Sequence, residues 1–533
     1  MYSMWRVKGG RMFFWILLLA VLVSGCVSTP TSEPTEAEPP PPASKTTAFF
    51  IRDQVIVIGS AGEIDRVIEE VIKEGIELAP IEDDYDLSYL GEFQDDRQLS
   101  VDSDSFPFPP GESGRSEVAL LRYPALGQQS GLVMRLYRIA NERDVEVTVR
   151  AINDAGNERN VFADPNYLTG PLAISPCGDP SATEGHPFEV GGSPFEVGGS
   201  PGAGPGAAAD ARGFWTQWAF GDVGVGQSFG RTGEGVRIGV FDTSPFSVDG
   251  GTKITTVSPT LTLQVSHPVM SSLLRPTTVS AVNVKDHGLF VAGLAHAVAP
   301  ESEIHLIRVL NDYGCGDLYT LNKALHTFIY EMSEGQGRLD GVVMNLSLGV
   351  HQPRDTKEAG LPSDVVSLEM AVLEAYRRGA VVVAAAGNDS AGLKPQAMQL
   401  PADYPFVIGV AASNIKRGRA CFSNRGNIAA PGGDGNGRAC EPAVATCSED
   451  CEYGLISLVL QSSEYPDGYA YWVGTSFSAP LVSGQAALLM GPGLLPADVT
   501  NEIRGGACPS PDPTLPNGII DLPHALLGTP CRP

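Results

Sequence analysis

Three polar residues stand out along the chain, in the order Asp, His, Ser. Asp242 directly follows the apolar run VRIGVF, His287 opens the small-residue segment HGLFVAGLAHAVAP, and Ser476 sits in GTSFSAP at the head of the apolar stretch FSAPLVSGQAALLM. A serine hydroxyl is a weak nucleophile until an adjacent imidazole takes its proton, and that imidazole needs a carboxylate to hold one tautomer and to stabilise its charge. These are the residue types that acyl transfer requires. A serine at the start of a buried helix also lies near unpaired N–H groups and the positive end of the helix dipole, which favour negative charge developing on a carbonyl oxygen. Gly474 and the small residues around Ser476 let substrate and backbone come close.

Such a set needs a rigid frame. Residues 236–241, 304–310, 341–348, 380–386 and 406–411 are nearly uninterrupted apolar runs, as expected of parallel strands buried on both faces. Between them, residues 321–332 and 364–378 have helical patterning, the second with Ser363 as N-cap and Gly379 as stop. The alternation predicts an α/β fold, a mostly parallel central sheet with helices on both sides. Asp242 then falls at the C-terminal end of a strand, and His287 and Ser476 at helix starts, where such sheets present function.

Upstream, residues 47–170 suggest a small α+β domain. A strand-like stretch at 49–58 precedes Ile64, Val67, Ile68, Val71 and Ile72, which share one helical face, and 132–139 is a second strand candidate. Residues 145–152 fit a strand period and a helical one equally. Residues 171–213 have the composition of a linker: PFEVGGS at 187–193 is repeated at 194–200 and followed by PGAGPGAAADA. A catalytic domain then spans 214–533.

The N-terminus resembles an export signal. Arg6, Lys8 and Arg11 precede an apolar stretch at 12–23, too short to span a bilayer. It ends in VSGC, which resembles a bacterial lipobox and implies removal of residues 1–25 and lipidation at Cys26. Residues 26–46, Pro-rich, suit a tether from a membrane to a folded body. The expected location is the cell envelope, on its extracytoplasmic side. Beyond Cys26 the chain has eight cysteines, at 177, 315, 421, 440, 447, 451, 508 and 531, an even set that favours disulfides over a metal knuckle at Cys447 and Cys451. A net charge of −26 excludes binding of nucleic acid through its backbone.

GTSFSAP around Ser476, TGEGVRIGVFDT leading into Asp242, HGLFVAG at His287, NLSLG at 345–349 and AAAGN at 384–388 together resemble the subtilisin-like serine proteases, and the order Asp, His, Ser is that family's order. The resemblance covers the chain from about Trp215 onward. It implies a three-layer subtilisin-like fold and a serine endopeptidase acting on proteins or peptides. It assigns Asp242, His287 and Ser476 as triad, Asn388 as side-chain donor to the oxyanion, and Ser347-Leu348-Gly349 and Ala385-Ala386-Gly387 as the two walls of the substrate channel. It implies no cofactor for the chemistry, and structural calcium at no position that can be named. The family usually has Gly where this chain has Ser244, and Thr and a second His where it has Leu289 and Phe290. More weakly, 47–170 resembles the family's propeptide, its ending VFADPNYL at 161–168 like the last propeptide strand; this implies an inhibitor cut within the linker, the alternative being an unrelated adaptor.

Two rival readings have a claim. GQSFG at 226–230 fits the nucleophile elbow of a different hydrolase fold, with Ser228 as nucleophile, but it is followed by a turn and a strand where an elbow requires a helix. A surface lipoprotein that keeps a protease fold as a binding module is the other, opposed by the intact set of catalytic residue types. Asp286, beside His287, is expected to be solvated, as is the acidic cluster Glu82-Asp83-Asp84 and Asp95-Asp96, which lacks the ligand spacing of a calcium loop; His305 and His326 are expected to be packed or solvated.

Overall fold

A computed structural model of the chain describes residues 50–91, 107–108, 131–141, 143–170, 177–178, 205–227, 229–248, 251–266, 275–276, 283–333, 337–350, 352, 365–390, 395–434, 453–491 and 494–531. The export signal, Cys26, the tether, the repeated heptapeptide, Asp95, Asp96, Ser228, Ser363, Cys440, Cys447 and Cys451 lie outside them.

The main sheet has ten strands, in the spatial order Ala507–Cys508, Ile519–Ile520, Ile428–Pro431, Ile408–Ser413, Val381–Ala385, Val342–Leu346, Arg237–Asp242, Glu303–Arg308, Thr262–Ser266 and Thr252–Thr256. All but the two end strands run parallel. The five apolar runs of the sequence all contribute, with ends displaced by up to two residues at most margins. Alternate side chains feed two cores: Val343, Val381 and Val383 enter one, and Val342, Met344 and Val382 the other. The first core is roofed by the helices His287–Val298 and Thr475–Leu489, in which every residue is buried. The second is roofed by Leu318–Met332 and Val366–Arg377.

Residues 50–170 add an antiparallel sheet in which Phe50–Ser60 pairs with both Leu132–Ile139 and Phe162–Gly170. The ambiguous stretch at 145–152 is helical, within Val145–Gly156: Val145, Val149 and Ile152 are buried while Val147, which a strand would have buried with its neighbours, faces solvent. The apolar cluster of this module is continuous with the second core of the main body.

The module's last strand also joins the body through its backbone. Phe162–Gly170 runs antiparallel to Gly316–Asp317 on one side and to Gly349–Val350 on the other, with Thr169 opposite Gly316 and Gly170 opposite Gly349. Side chains of the same strand cap both outer helices. Asp164 accepts from the N–H groups of Val366 (3.3 Å) and Ser367 (2.8 Å), and Asn166 accepts from Tyr319 N–H at 3.0 Å. These helix starts would otherwise leave buried donors unpaired. The second helix thus begins at Val366 with its acceptor some two hundred residues upstream, not at 364.

Part of the segment read as linker is ordered. Ala208–Ala209 is the third strand beside Tyr469–Trp472, which in turn pairs with Leu455–Leu458, and Asp210 caps the helix Ala211–Thr216 through Gly213 N–H. Cys508 and Cys531 form a disulfide with each other, and Cys315 and Cys421 each take part in a disulfide as well. Among the described residues no helix is long and apolar enough to cross a membrane.

A second contact surface lies at residues 82–89. Tyr85 OH donates to Lys323 O, Lys323 pairs with Glu82, and Tyr89 OH meets Nδ1 of His326 at 2.6 Å. Arg378, paired with buried Glu374, donates to Tyr89 O and lies over its ring. Asp84 is bonded twice by Arg135; Glu82, Asp83 and Asp84 are all solvent-exposed, as expected, and two of the three carboxylates also pair with cations. His326 is fully buried; burial first, and the Arg378 charge second, push its pKa down to about 3. The folded chain therefore keeps it neutral where the unfolded chain, with an ordinary imidazole near 6.5, binds a proton. That difference lowers stability as pH falls from about 6.5 towards 3. In melting experiments across this window, the wild type is expected to lose several degrees more than His326→Phe; parallel curves would refute the assignment.

Candidate active site

Asp242 ends its strand fully buried, and its carboxylate is spoken for on three sides. Oδ1 accepts from Thr243 N–H at 2.6 Å, and Oδ1 and Oδ2 lie 2.7 and 2.9 Å from His287 Nδ1. An imidazole held this way carries its proton on Nδ1 and offers Nε2 as the base. His287 opens its helix because Thr243 Oγ1 accepts the following N–H, that of Gly288, at 3.0 Å. A side chain at Gly288 would overlap the Thr243 carbonyl oxygen and crowd the Asp242 Cβ. Asp286 is not solvated: it is buried, accepting from Lys285 and from Leu460 N–H, and so serves to tie the helix start to the loop at 460.

Ser476 lies in the first turn of Thr475–Leu489, buried at 3% exposure. Its Oγ donates to Ser347 O at 3.1 Å, and Ser347 Oγ returns a bond to Ser476 O at 2.7 Å. Asn345, in the same NLSLG motif, fixes that exchange by donating to Ser347 Oγ and accepting from Ser483 Oγ, about two helix turns beyond Ser476. The His287 ring is 5.1 Å from that of Phe477, the residue after Ser476, so the strand end, the two helix starts and the loop after Val342–Leu346 converge.

Asn388 belongs to the same point. Its Oδ1 accepts from both N–H and Oγ1 of Thr475, at 2.9 and 3.0 Å. With its oxygen held, the Asn388 amide nitrogen is left as a donor beside Ser476. The Thr of GTS is therefore an orienting residue that spacing alone did not reveal. Asp389 is bonded by Asn424 Nδ2 and by Gln399, which braces the turn after Asn388.

The six residues assigned to channel walls separate into two groups. Gly349 lines the slot that holds Phe162–Gly170, while Ser347 joins Ser476 and Leu348 is buried in the core. Ala385, Ala386 and Gly387 are bonded inward: Ala386 donates to Val410 O and accepts from Gln399, and Gly387 donates to Thr475 Oγ1. The strand facing Gly349 across the slot is instead Gly316–Asp317. Nothing in its sequence, NDYGCGDLYT, reads as a strand; its signal is a glycine pair and an N-cap aspartate before a helix. Cys508, His524 and Cys531 cluster, but the sulfurs are bonded to each other and His524 Nδ1 is bonded to Thr529 O, so they do not make a metal centre.

Several known proteins are similar to this chain. The model of the subtilase family matches residues 233–505. Subtilisin Savinase of Lederbergia lenta is 30% identical over 273 residues, 49% of this chain and 78% of its own length. An alkaline protease of Alkalihalobacillus alcalophilus is equally similar, with 55% of its length covered. Among solved structures, fervidolysin of Fervidobacterium pennivorans, described as a keratinolytic enzyme related to subtilisin, shares the fold with a TM-score of 0.50 at 17% identity, over 91% of this chain and 62% of its own.

Replacing Gly288 by Ala is expected to force the helix away from Asp242, costing about 1–3 kcal/mol of stability and lengthening the contact of His287 with the carboxylate. A variant that melts and turns over like the wild type would show that the close approach is dispensable.

Proposed function

Because the chain belongs to the subtilase family, and is thus a serine endopeptidase, we propose that Asp242, His287 and Ser476 are its catalytic triad and that Asn388 completes the oxyanion hole. The observation that carries this reading is the pair of short contacts from His287 Nδ1 to a fully buried Asp242, with Ser476 and Asn388 held at the adjoining helix start. Ser476 Oγ turns from Ser347 O to His287 Nε2, gives up its proton there and attacks the scissile carbonyl carbon. The negative charge on the carbonyl oxygen is taken by Asn388 Nδ2 and the Ser476 backbone N–H. His287 then protonates the leaving amine, and water, deprotonated by the same imidazole, releases the acyl group from Ser476. No cofactor enters these steps.

The module at 50–170 acts as an inhibitor of this site. Its strand Phe162–Gly170 fills the slot between Gly316–Asp317 and Gly349–Val350, in the backbone pairing that an extended peptide substrate would use. Activation then needs a cut between 170 and 205, since residues from Pro205 onward are bonded to the body through Gly206, Ala207 and Ala208. The signal and lipobox residues support an enzyme anchored through Cys26 in the cell envelope, facing outward, with proteins or peptides as substrates. A protease fold retained only for binding is the contrasting outcome.

Labelling of the full chain with a fluorophosphonate, followed by peptide mapping, tests this. Modification at Ser476 is expected after cleavage of the linker, with none in Ser476→Ala. Modification at Ser228 would support an esterase, and no modification even after the module has been removed would indicate a binding module. Asn388→Leu is expected to lower kcat on the order of 10²–10³-fold, the cost known from subtilisin itself, with KM nearly unchanged.

A further inference from the structure

A single tether from Nδ1 to a carboxylate fixes where the His287 ring sits but not how it tilts. In this chain two aromatic side chains close on the imidazole and a third packs against both of them. Trp472 meets it at 88° with ring centroids 5.3 Å apart, and Phe477 lies 5.1 Å away at 48°. Phe290, one turn along the helix that His287 opens, packs on both, 5.6 Å from Trp472 and 4.5 Å from Phe477. Trp472 and Phe477 are in turn 5.2 Å apart. All three are essentially without solvent contact.

Trp472 comes from outside the helices that carry the reacting groups. It ends the strand Tyr469–Trp472, whose hairpin partner Leu455–Leu458 is tied to the His287 helix by Ser457 Oγ donating to Phe290 O at 2.7 Å. Its other edge is covered by Ala208–Ala209. Phe290 stands where the family usually has a second histidine, while Phe477 belongs to the GTSFSAP motif itself.

We propose that Trp472 is a positioning residue for the base, holding the His287 imidazole at the tilt that aims Nε2 at Ser476. An orthogonal ring at this distance restrains rotation through packing and through the attraction of a ring edge for an aromatic face. The inference rests on the triad reading above. It adds that the geometry of the base is set from a hairpin remote in sequence, and that Phe290 supports Trp472 without touching substrate.

The test uses the full chain, extracted in detergent and activated by cutting the linker. Active sites are counted by fluorophosphonate titration carried to completion, and kcat and KM are measured on one peptide substrate. Trp472→Leu is expected to lower kcat per titrated site by on the order of 10- to 100-fold, the range for a slightly misplaced catalytic group, with KM within about twofold. Trp472→Phe, which keeps an aromatic ring there, is expected to recover most of the loss. A kcat per site in Trp472→Leu equal to that of the wild type would overturn the role of Trp472. So would a change confined to KM, which would make the residue a wall for substrate, or equal losses in the Leu and Phe variants, which would indicate packing alone. A wild type that is never modified at Ser476 would instead overturn the triad reading, and this inference with it.

Discussion

The spacing of two buried helices controls this molecule. His287 and Ser476 each sit at the start of a helix that is apolar all round and wholly enclosed, and those helices pack on each other over the same face of the sheet. Their approach is set by small residues: a Cβ at Gly484 would lie 2.5 Å from Val298 Cβ. Interiors are packed too densely to absorb such a change locally, so a displacement at one end of the pair is carried to the other. A buried helix has no polar face with which to fix its rotation. Bonds at its start help to do so, Asp242 and Thr243 for one helix, Asn388 and Ser347 for the other, where Ser483 adds a further bond to Asn345 about two turns in.

The same dependence explains the polar residues of the motifs. Asn345, Ser347, Thr475 and Ser483 are all buried, and burying them without partners would cost more than an apolar core would. They form one chain of bonds from the strand Val342–Leu346 to the Ser476 helix and on to Asn388. Such a network, once fully paired, specifies a single arrangement where aliphatic contacts would tolerate several.

Legibility in the sequence followed the range of the interaction. Buried parallel strands show as unbroken apolar runs, and Asp242, His287, Ser476 and Asn388 show through local motifs, so the central sheet and the site were readable. The helix at 145–156 was not, because three valines at alternate positions carry both periods and only the exposure of Val147 separates them. Contacts remote in sequence were invisible. The Asp164 cap on Val366 and Ser367, the pairing of Gly316–Asp317 with Leu168 and Thr169, and the approach of Trp472 to His287 each join residues from 147 to 203 apart in sequence through nothing that composition or spacing records. The strand Gly316–Asp317 went unread for this reason: two-residue strands flanked by glycines have no periodicity to detect.

The composition of the slot's occupant has its own logic. Every residue of Phe162–Gly170 is buried, yet Asp164, Asn166 and Thr169 are polar, as in few fully enclosed strands. A strand that stayed in place permanently would gain from apolar residues there. One that is to be removed must also be soluble once it leaves, and the helix starts it caps must accept water in its place. Asp164 and Asn166 would satisfy both conditions: their oxygens take the place of water at Val366, Ser367 and Tyr319 in the docked strand, and would return to water if it were released as proposed. Exchange of one hydrogen-bond acceptor for another changes free energy far less than exposure of an apolar core. On the proposed inhibitory reading, hold on the slot would come from the backbone ladder and from the apolar contacts of the module behind it, and a cut between the module and Pro205 would let the two separate.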